Sequence, residues 1–297
     1  MVGASLHYLG DQTNARRHLE HMLAHYVDPV RRSHAVRFQY DQEVPARMVL
    51  ARILWLQGFP DQALWTAQSN VEDARAIDHA LSLCNALEAA SLVALWNGDL
   101  AAMEGSVATL LDHSARHALA VRHRGARCLN GALLIKRGEV GDGVELLRTA
   151  LDELRETGFV PYYVFLLGTL AQGLAGIGQA DRALASIDEA LGKSERDEER
   201  WCIAELLRIK ADLLPLEGGP GTVPAAEEFL EQALRWTRRQ GVLSLELRVA
   251  TSLARLWHRQ GRTEPARELL ASVYGRFTEG FGTADLRAAK ALLDGLG

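Results

Sequence analysis

Single glycines, each flanked on both sides by a helical pattern of apolar residues, recur along the chain and predict turns between helices. Their spacings are 48, 40, 40, 40, 40 and 43 residues. The loop Leu216–Thr222 accounts for the longer last interval, and the polar stretch Val27–Glu43 accounts for the first. The pattern therefore predicts a repeated helix–turn–helix unit. The turn glycines are Gly10, Gly58, Gly98, Gly138, Gly178, Gly218 and Gly261.

Three positions around each glycine predict how the two helices of a unit meet. The residue seven before the glycine is always small. Counted after the glycine, and from Gly221 in the sixth unit, the fifth residue is small in six of the seven units and the ninth is always apolar. Gly131, Gly143 and Leu147 show the pattern around Gly138. We expect these positions to form a closely packed seam between the two helices. Prolines such as Pro60 fall where helices are predicted to begin, since a first-turn residue needs no N–H partner.

This spacing resembles the tetratricopeptide (TPR) repeat, as in LARILWLQGFPDQALWTA (Leu50–Ala67), and the resemblance covers essentially the whole chain. The period is 40 residues where the TPR has 34. The segments Arg37–Leu64 and Leu253–Leu296 are similar to the C-terminal region of large bacterial signalling proteins. That resemblance implies an upstream P-loop ATPase, preceded by a nucleotide-cyclase or winged-helix output domain. It also implies an all-α fold, a right-handed α-solenoid of TPR-like hairpins.

The repeat divides the chain into four segments. We expect a truncated first hairpin at 1–26, a linker at 27–43, five to six hairpins at 44–281 and a C-terminal capping helix at 282–297. The first hairpin has only nine residues before its glycine, so we interpret the start of the chain as a cut in a longer protein. The capping helix is predicted from one apolar stripe, formed by Leu286, Ala289, Leu293 and Leu296.

The composition argues against some classes of function but does not identify one. The 33 basic and 38 acidic residues are spread along the chain and give a net charge of −5, which argues against direct nucleic-acid contact. Three separated cysteines favour a reducing, cytoplasmic location. The uncharged run Thr157–Ala180 is long enough to cross a membrane, but the repeat places a turn at Gly178. We therefore expect no membrane span there.

No catalytic constellation is present in the sequence, and we expect neither enzyme activity nor a cofactor. The loop LEGGPGT (Leu216–Thr222) lacks the Lys-Ser/Thr pair of a phosphate-binding loop and follows a helical pattern. His113 and His117 form an HxxxH pair without the glutamate of a zinc protease. A weak metal candidate is one helical face carrying three histidines: His18, His21 and His25.

The TPR resemblance implies that the first helix of each unit lines a concave groove. The lining positions lie 13, 10, 6, 3 and 2 residues before the turn glycine. They predict a groove that is aromatic at its N-terminal end, small and uncharged in the middle, and basic in the last unit. Its predicted lining is Arg52, Trp55, Asn85, Glu88, Trp96, Cys128, Lys136, Phe165, Gln172, Glu205, Arg208, Asp212, Arg248, Arg255, His258 and Arg259.

Two ligand sites are predicted within this groove. Arg248, Arg255 and Arg259 lie on one helical stripe and suit an acidic peptide, with Glu246 neutralising part of the charge. The central unit is expected to leave room for a small or apolar ligand above Phe165, Gly168, Gln172, Ala175 and Gly176.

The sequence thus predicts a scaffold that binds a protein, peptide or small effector and signals to an ATPase in the same polypeptide. There are three alternatives. The chain could be a free-standing adaptor, a small-molecule receptor with a closed pocket near Trp96 and Phe165, or an enzyme that uses the histidine clusters.

Overall fold

The structure is a computed structural model that describes residues 2–26, 42–155, 162–219 and 221–296. The predicted linker 27–43 falls almost wholly outside these ranges, so the described residues do not address it.

The described residues form fifteen α-helices and contain no β-strand, which confirms the all-α fold class. The helices are α1 Val2–Tyr8, α2 Gln12–Ala24, α3 Glu43–Leu56, α4 Pro60–Ile77, α5 Ala80–Asn97, α6 Leu100–Arg116, α7 Ala120–Arg137, α8 Val140–Arg155, α9 Tyr163–Gly176, α10 Ala180–Arg196, α11 Ile203–Glu217, α12 Thr222–Gln240, α13 Leu243–Arg259, α14 Thr263–Tyr274 and α15 Ala284–Gly295.

A glycine in a left-handed conformation ends the first helix of a typical hairpin. Gly98 has φ 76°, and the N–H of Asp99 beyond it donates to the carbonyl of Ala94 at 2.9 Å. Glycine adopts this conformation without the steric penalty of a Cβ, so the helix stops and reverses at a defined residue. The Asp99 carboxylate then accepts a hydrogen bond from the N–H of Ala102 and caps the next helix. The equivalent backbone bond follows Gly10, Gly138, Gly178 and Gly261.

The hairpin α11–α12 turns differently from the others. Helix α11 includes Pro215 and ends at Glu217, and Gly218 has φ 69° and ψ 156°, which lies outside the left-handed helical region. Helix α12 begins after Gly221. The connection therefore uses a longer glycine-rich loop in place of the single-glycine turn.

The predicted seam is present in every hairpin, since each of its positions is buried. It is closest in the α7–α8 hairpin, where a Cβ added to Gly131 would meet the backbone nitrogen of Leu147 at 2.8 Å. A Cβ on Gly143 would lie 2.7 Å from the backbone nitrogen of Ile135. Here the two helices touch backbone to backbone, which only glycine permits.

The described residues cluster into two compact units. Unit 1 comprises Met1–His7, Asp11–Trp55 and Pro60–Pro161, and unit 2 comprises Tyr8–Gly10, Leu56–Phe59 and Tyr162–Gly297. Within unit 2, the N–H of Arg200 donates to the carbonyl of Tyr8 at 2.7 Å.

The first helices of successive hairpins contact one another within each unit. In unit 1, α5 contacts α7, and in unit 2 the contacts run from α9 to α11, from α11 to α13 and from α13 to the final helix α15. Each unit is therefore a stack of hairpins of the α-solenoid class, and the side chains of one first helix lie beside those of the next first helix.

Helix α15 closes the apolar core at the end of unit 2. Leu286, Ala289 and Leu296 are buried there, and Leu293 packs against the same cluster. Their partners on α13 include Leu247.

One helix in the described part of the chain, Ala80–Asn97, is long and apolar enough to cross a membrane. However, 78% of that stretch is buried inside the protein, as in the core helix of a stacked repeat. In the described part of the uncharged run considered above, residues 162–180, the one complete helix is the 14-residue α9.

Candidate functional site

The first helices α3, α5 and α7 of unit 1, and α9, α11 and α13 of unit 2, carry the residues that were expected to line a groove. Burial divides these residues into three groups. Gln172, Arg208 and Arg248 are half-buried, and the exposed group is Lys136, Asp212, Arg255, His258 and Arg259. The remaining eight are buried: Arg52, Trp55, Asn85, Glu88, Trp96, Cys128, Phe165 and Glu205.

The expected aromatic end of the groove is packed inside unit 1. The rings of Trp55 and Trp96 lie 4.9 Å apart, and the indole N–H of Trp55 donates to the side-chain oxygen of Asn97 at 2.9 Å. The Trp55 and Trp96 side chains are 3% and 2% exposed. These two residues therefore stabilise the contact between successive first helices and are not open to a ligand, which corrects the prediction for this end.

A second polar contact in unit 1 links α5 to α7. The buried carboxylate of Glu88 accepts a hydrogen bond from Arg122 at 2.9 Å. The guanidinium compensates a charge that would be costly to bury alone. Arg122, the partner of Glu88, was not among the residues predicted from the sequence.

The cysteines on these helices are buried thiols. Burial raises the pKa of Cys84 to about 12, and Glu88 adds to the shift. Burial likewise raises the pKa of Cys128 to about 12. Because the thiolate is the reactive form, both side chains act as small packing residues at neutral pH.

The predicted open floor in the central hairpin is filled at Phe165 and Gly168, whereas Gln172, Ala175 and Gly176 are half-buried or exposed. A Cβ added to Gly168 would lie 3.1 Å from side-chain carbons of Leu206 and of Ile209, both on the next first helix. The ring of Phe165 lies 6.0 Å from that of Trp201. Gly168 thus allows α11 to approach α9 closely, and the expectation of free space above it is wrong.

Unit 2 contains a group of linked charges on α11, α13 and α15, called here the charge cluster. The buried Glu205 carboxylate binds Arg208 through both oxygens, at 2.9 and 2.8 Å, and binds Arg248 at 3.2 Å. Arg208 also donates to Asp212 at 2.5 Å, and Arg248 donates to Asp285 at 2.7 Å. Three carboxylates and two guanidinium groups leave one net negative charge.

The cluster holds its two arginines firmly in the charged form. Burial disfavours a charge on Arg248, but Asp285 and Glu205 outweigh that effect, so the pKa of Arg248 is raised. The pKa of Arg208 is raised for the same kind of reason, with Glu205 and Asp212 outweighing burial.

The last hairpin is consequently less basic than the sequence indicated. Arg248 is already paired with two carboxylates, although it was expected to be available to a ligand. Glu246 does not neutralise this stripe, because its buried carboxylate pairs with Arg238 at 3.1 Å and with Arg276 at 2.6 Å.

Arg255, His258 and Arg259 remain as an exposed basic surface at the last two turns of α13, called here the cationic end. Among the described residues, no carboxylate lies within 4.0 Å of the guanidinium of Arg255 or Arg259. Burial raises the pKa of Asp212, and the charges of Arg208 and Arg255 oppose that shift, so Arg255 acts on this carboxylate from a longer distance. Arg259 donates to the carbonyl of Arg255 at 3.3 Å, and His258 lies 3.3 Å from the hydroxyl of Thr263. The cationic end can therefore receive an anionic group without first breaking an ion pair.

Asp285 was not among the residues predicted from the sequence. A signal for it exists, since it follows Arg248 by 37 residues, close to one repeat, and lies in the first turn of the predicted capping helix. Its pairing with Arg248 nevertheless depends on how α15 packs against α13.

The histidine candidates lie on exposed helix surfaces. The rings of His21 and His25 stack at 4.3 Å, and His25 donates from Nδ1 to the carbonyl of His21 at 2.7 Å. His18 is also exposed. Within the described ranges, no group of three metal-ligating side chains is positioned to hold an ion.

Comparison with known proteins identifies the fold. No protein-family model matches the chain. An uncharacterized protein of Rhizobium meliloti (strain 1021) is 26% identical over 220 residues, which are 73% of this chain and 21% of that protein. The chain thus spans about a fifth of the length of this curated relative.

Two solved structures share the arrangement of helices over nearly the whole chain. The apo form of RapI has a TM-score of 0.57 at 12% identity, covering 95% of this chain and 92% of RapI. A Rap protein complexed with competence and sporulation factor has a TM-score of 0.50 at 12% identity, covering 99% and 95%. At such identities the likeness concerns the fold alone. The chain has a TPR-like helical-repeat fold.

Proposed function

We propose that this chain is a non-catalytic interaction array that binds an acidic segment of a protein or peptide at the cationic end of unit 2. The observation that carries the proposal is the pair of exposed arginines, Arg255 and Arg259, neither of which lies at ion-pair distance from a carboxylate in the described part of the chain. Every other arginine predicted to line the groove of unit 2, namely Arg208 and Arg248, is already paired.

The chemistry of the cationic end suits carboxylates. A guanidinium offers two parallel N–H donors to one carboxylate, and the arginines lie one helical turn apart, so they face the same side of α13. Their position at the C-terminal end of the helix is favourable for positive charge. An extended segment with acidic residues would therefore gain two charge-assisted contacts.

The larger polypeptide to which this chain belongs, and its cellular location, are also part of the proposal. Similarity to the C-terminal region of bacterial signalling proteins supports an array that reports ligand occupancy to an ATPase and output domain of the same polypeptide, in the cytoplasm. The greater length of the Rhizobium relative agrees with this. The Rap protein complexed with a factor is an example of this fold in a complex.

The small-molecule receptor is the weaker alternative. Its predicted pocket depended on free space above Gly168, where Leu206 and Ile209 now pack. Only the C-terminal turn of α9, around Gln172 and Gly176, offers partly exposed positions.

The proposal can be tested by fluorescence anisotropy with a fluorescein-labelled poly-L-glutamate peptide. We expect Arg255→Glu with Arg259→Glu to weaken binding by at least about tenfold, because two attractive contacts become repulsive. Binding of the wild-type chain should also weaken as salt is raised.

The control variant is Arg235→Glu with Arg239→Glu, an exposed arginine pair on α12 with the same spacing and charge change. It should retain near wild-type affinity. Equal losses in the two double variants would show a non-specific charge effect, and unchanged affinity after the Arg255 and Arg259 changes would exclude the cationic end as the site.

A further inference from the structure

Arg248 lies on the same side of α13 as the cationic end but is held by an acidic residue of the terminal helix. Residues 248, 252, 255 and 259 follow one another at intervals of four, three and four, which places them on one stripe. Seven residues of helix separate Arg248 from Arg255, a rise of about 10 Å. Ser252 is buried between the two arginines and donates to Asp212 at 3.3 Å, so an acidic segment from the cationic end would pass beside this contact to reach Arg248 within two helical turns.

The guanidinium of Arg248 is held in an orientation in which it binds a carboxylate. Glu205 binds Arg248 at one terminal nitrogen, Nη1, at 3.2 Å, while Asp285 accepts from Nε at 2.7 Å. Glu205 is buried and is itself fixed by two bonds from Arg208. Loss of Asp285 would therefore leave Arg248 oriented by Glu205, while its Nε would lose the carboxylate that it now binds.

The position of α15 depends on apolar packing more than on this ion pair. Leu286, Ala289 and Leu296 are buried against α13 and α14, whereas the Asp285 side chain remains 30% exposed at the edge of that contact. A partly exposed ion pair contributes little to stability compared with the burial of several apolar side chains. Asp285 is thus not required to hold the helix in place.

We propose that Asp285 is an internal stand-in for a partner's carboxylate: it occupies Arg248 in the free protein, and an acidic segment bound at the cationic end displaces it. This inference rests on the function proposed above and extends that binding site to Arg248 and the terminal helix. Since α15 carries Asp285, occupancy of the stripe would change the charge balance at the end of unit 2. The terminal helix then acts as a competitor that lowers affinity for acidic segments.

The test compares two charge-removing variants of α15 in the same anisotropy assay with labelled poly-L-glutamate. Asp285→Asn should bind the peptide about fivefold more tightly than wild type, because an exposed ion pair no longer competes. Asp294→Asn is the matched control. It removes the same charge from the same helix, but Asp294 pairs with Lys290 and is 62% exposed.

A third variant identifies the arginine involved. Combining Asp285→Asn with Arg248→Gln should abolish the gain, and thermal unfolding of each variant shows whether α15 remains packed. A gain in Asp285→Asn that survives the Arg248 change would overturn the stand-in, as would equal affinities of the Asp285 and Asp294 variants.

The outcomes separate the two proposals. If the wild type binds through Arg255 and Arg259 but Asp285→Asn has no effect, the stand-in is wrong while the proposed function stands. If neither the wild type nor Asp285→Asn binds the peptide, both proposals are excluded. Weaker binding by Asp285→Asn would show that Asp285 supports the site and would also overturn the stand-in.

Discussion

Equivalent repeat positions have opposite environments in the two units. Trp55 and Trp96 lie three and two residues before the turn glycines Gly58 and Gly98, and both side chains are buried in unit 1. In the last hairpin of unit 2, His258 and Arg259 lie at these same two positions and are exposed. Where a following first helix brings a matching aromatic residue, the position becomes core. At the end of α13, the residues that follow do not cover His258 and Arg259, so these two positions stay exposed.

The polar contacts differ in the same way. In unit 1 the pair of Glu88 and Arg122 joins α5 to α7, whereas in unit 2 the charge cluster joins three helices. The seam between the helices of each hairpin is common to both units. The seam residues are thus buried in the hairpins of both units, whereas residues at equivalent first-helix positions differ in burial and in their polar partners.

The largest expected effect tests the aromatic contact of unit 1. Trp55→Ala should lower the free energy of unfolding by about 3–5 kcal/mol, because it leaves a cavity beside Trp96 and removes the partner of Asn97. Trp65→Ala is the control, since the Trp65 side chain is 70% exposed, and should change stability by less than about 0.5 kcal/mol. Urea denaturation measures both. Similar values for the two variants would contradict the assignment of Trp55 to the core.

The next effect tests the charge cluster of unit 2. Glu205→Gln should cost about 3 kcal/mol, because Arg208 and Arg248 both lose the buried carboxylate that compensates their charge. Glu104→Gln serves as the control, since Glu104 pairs with Arg137 on the exposed surface and should have little influence. Denaturation at low and high salt measures the difference. A strong salt dependence of the Glu205 effect would indicate that the cluster is more exposed to solvent than the structure shows.

The smallest of the three effects tests the seam. Gly131→Ala should destabilise the chain by about 1–3 kcal/mol, because its Cβ would press on the backbone of Leu147. Gly141→Ala, in the same hairpin, has no atom within 4 Å of the added carbon and should be neutral or slightly stabilising through helix propensity. Thermal unfolding distinguishes them. A stable Gly131→Ala variant would mean that the two helices can separate without penalty.

The turns and the seam of the hairpins were predictable because their causes are local. Gly98 must adopt a left-handed conformation to end α5, and that requirement is written in one residue. The seam depends on small residues at fixed distances from such a glycine, as Gly131 and Gly143 illustrate. Short-range geometry of this kind repeats wherever the spacing repeats.

The candidate site was only partly predictable. Arg255 and Arg259 are exposed and unpaired among the described residues, as a basic stripe requires, but Arg248 is paired with Asp285 across 37 residues. Gly168 was expected to border open space and instead contacts Leu206 and Ile209. One difference arises from a neighbouring first helix and the other from the terminal helix α15. Counting from a turn glycine does not show where such a neighbouring helix places its side chains.

By itself, the sequence determined that this protein is a helical repeat, where its turns lie and which faces pack within each hairpin. Those properties follow from helical periodicity and from glycine's conformational freedom, which operate over a few residues. Only the tertiary structure decided which first-helix residues are buried, which charges are compensated and which cations remain exposed. These outcomes depend on the approach of helices from different hairpins, where burial and pairing change the energy of the same side chain by several kcal/mol.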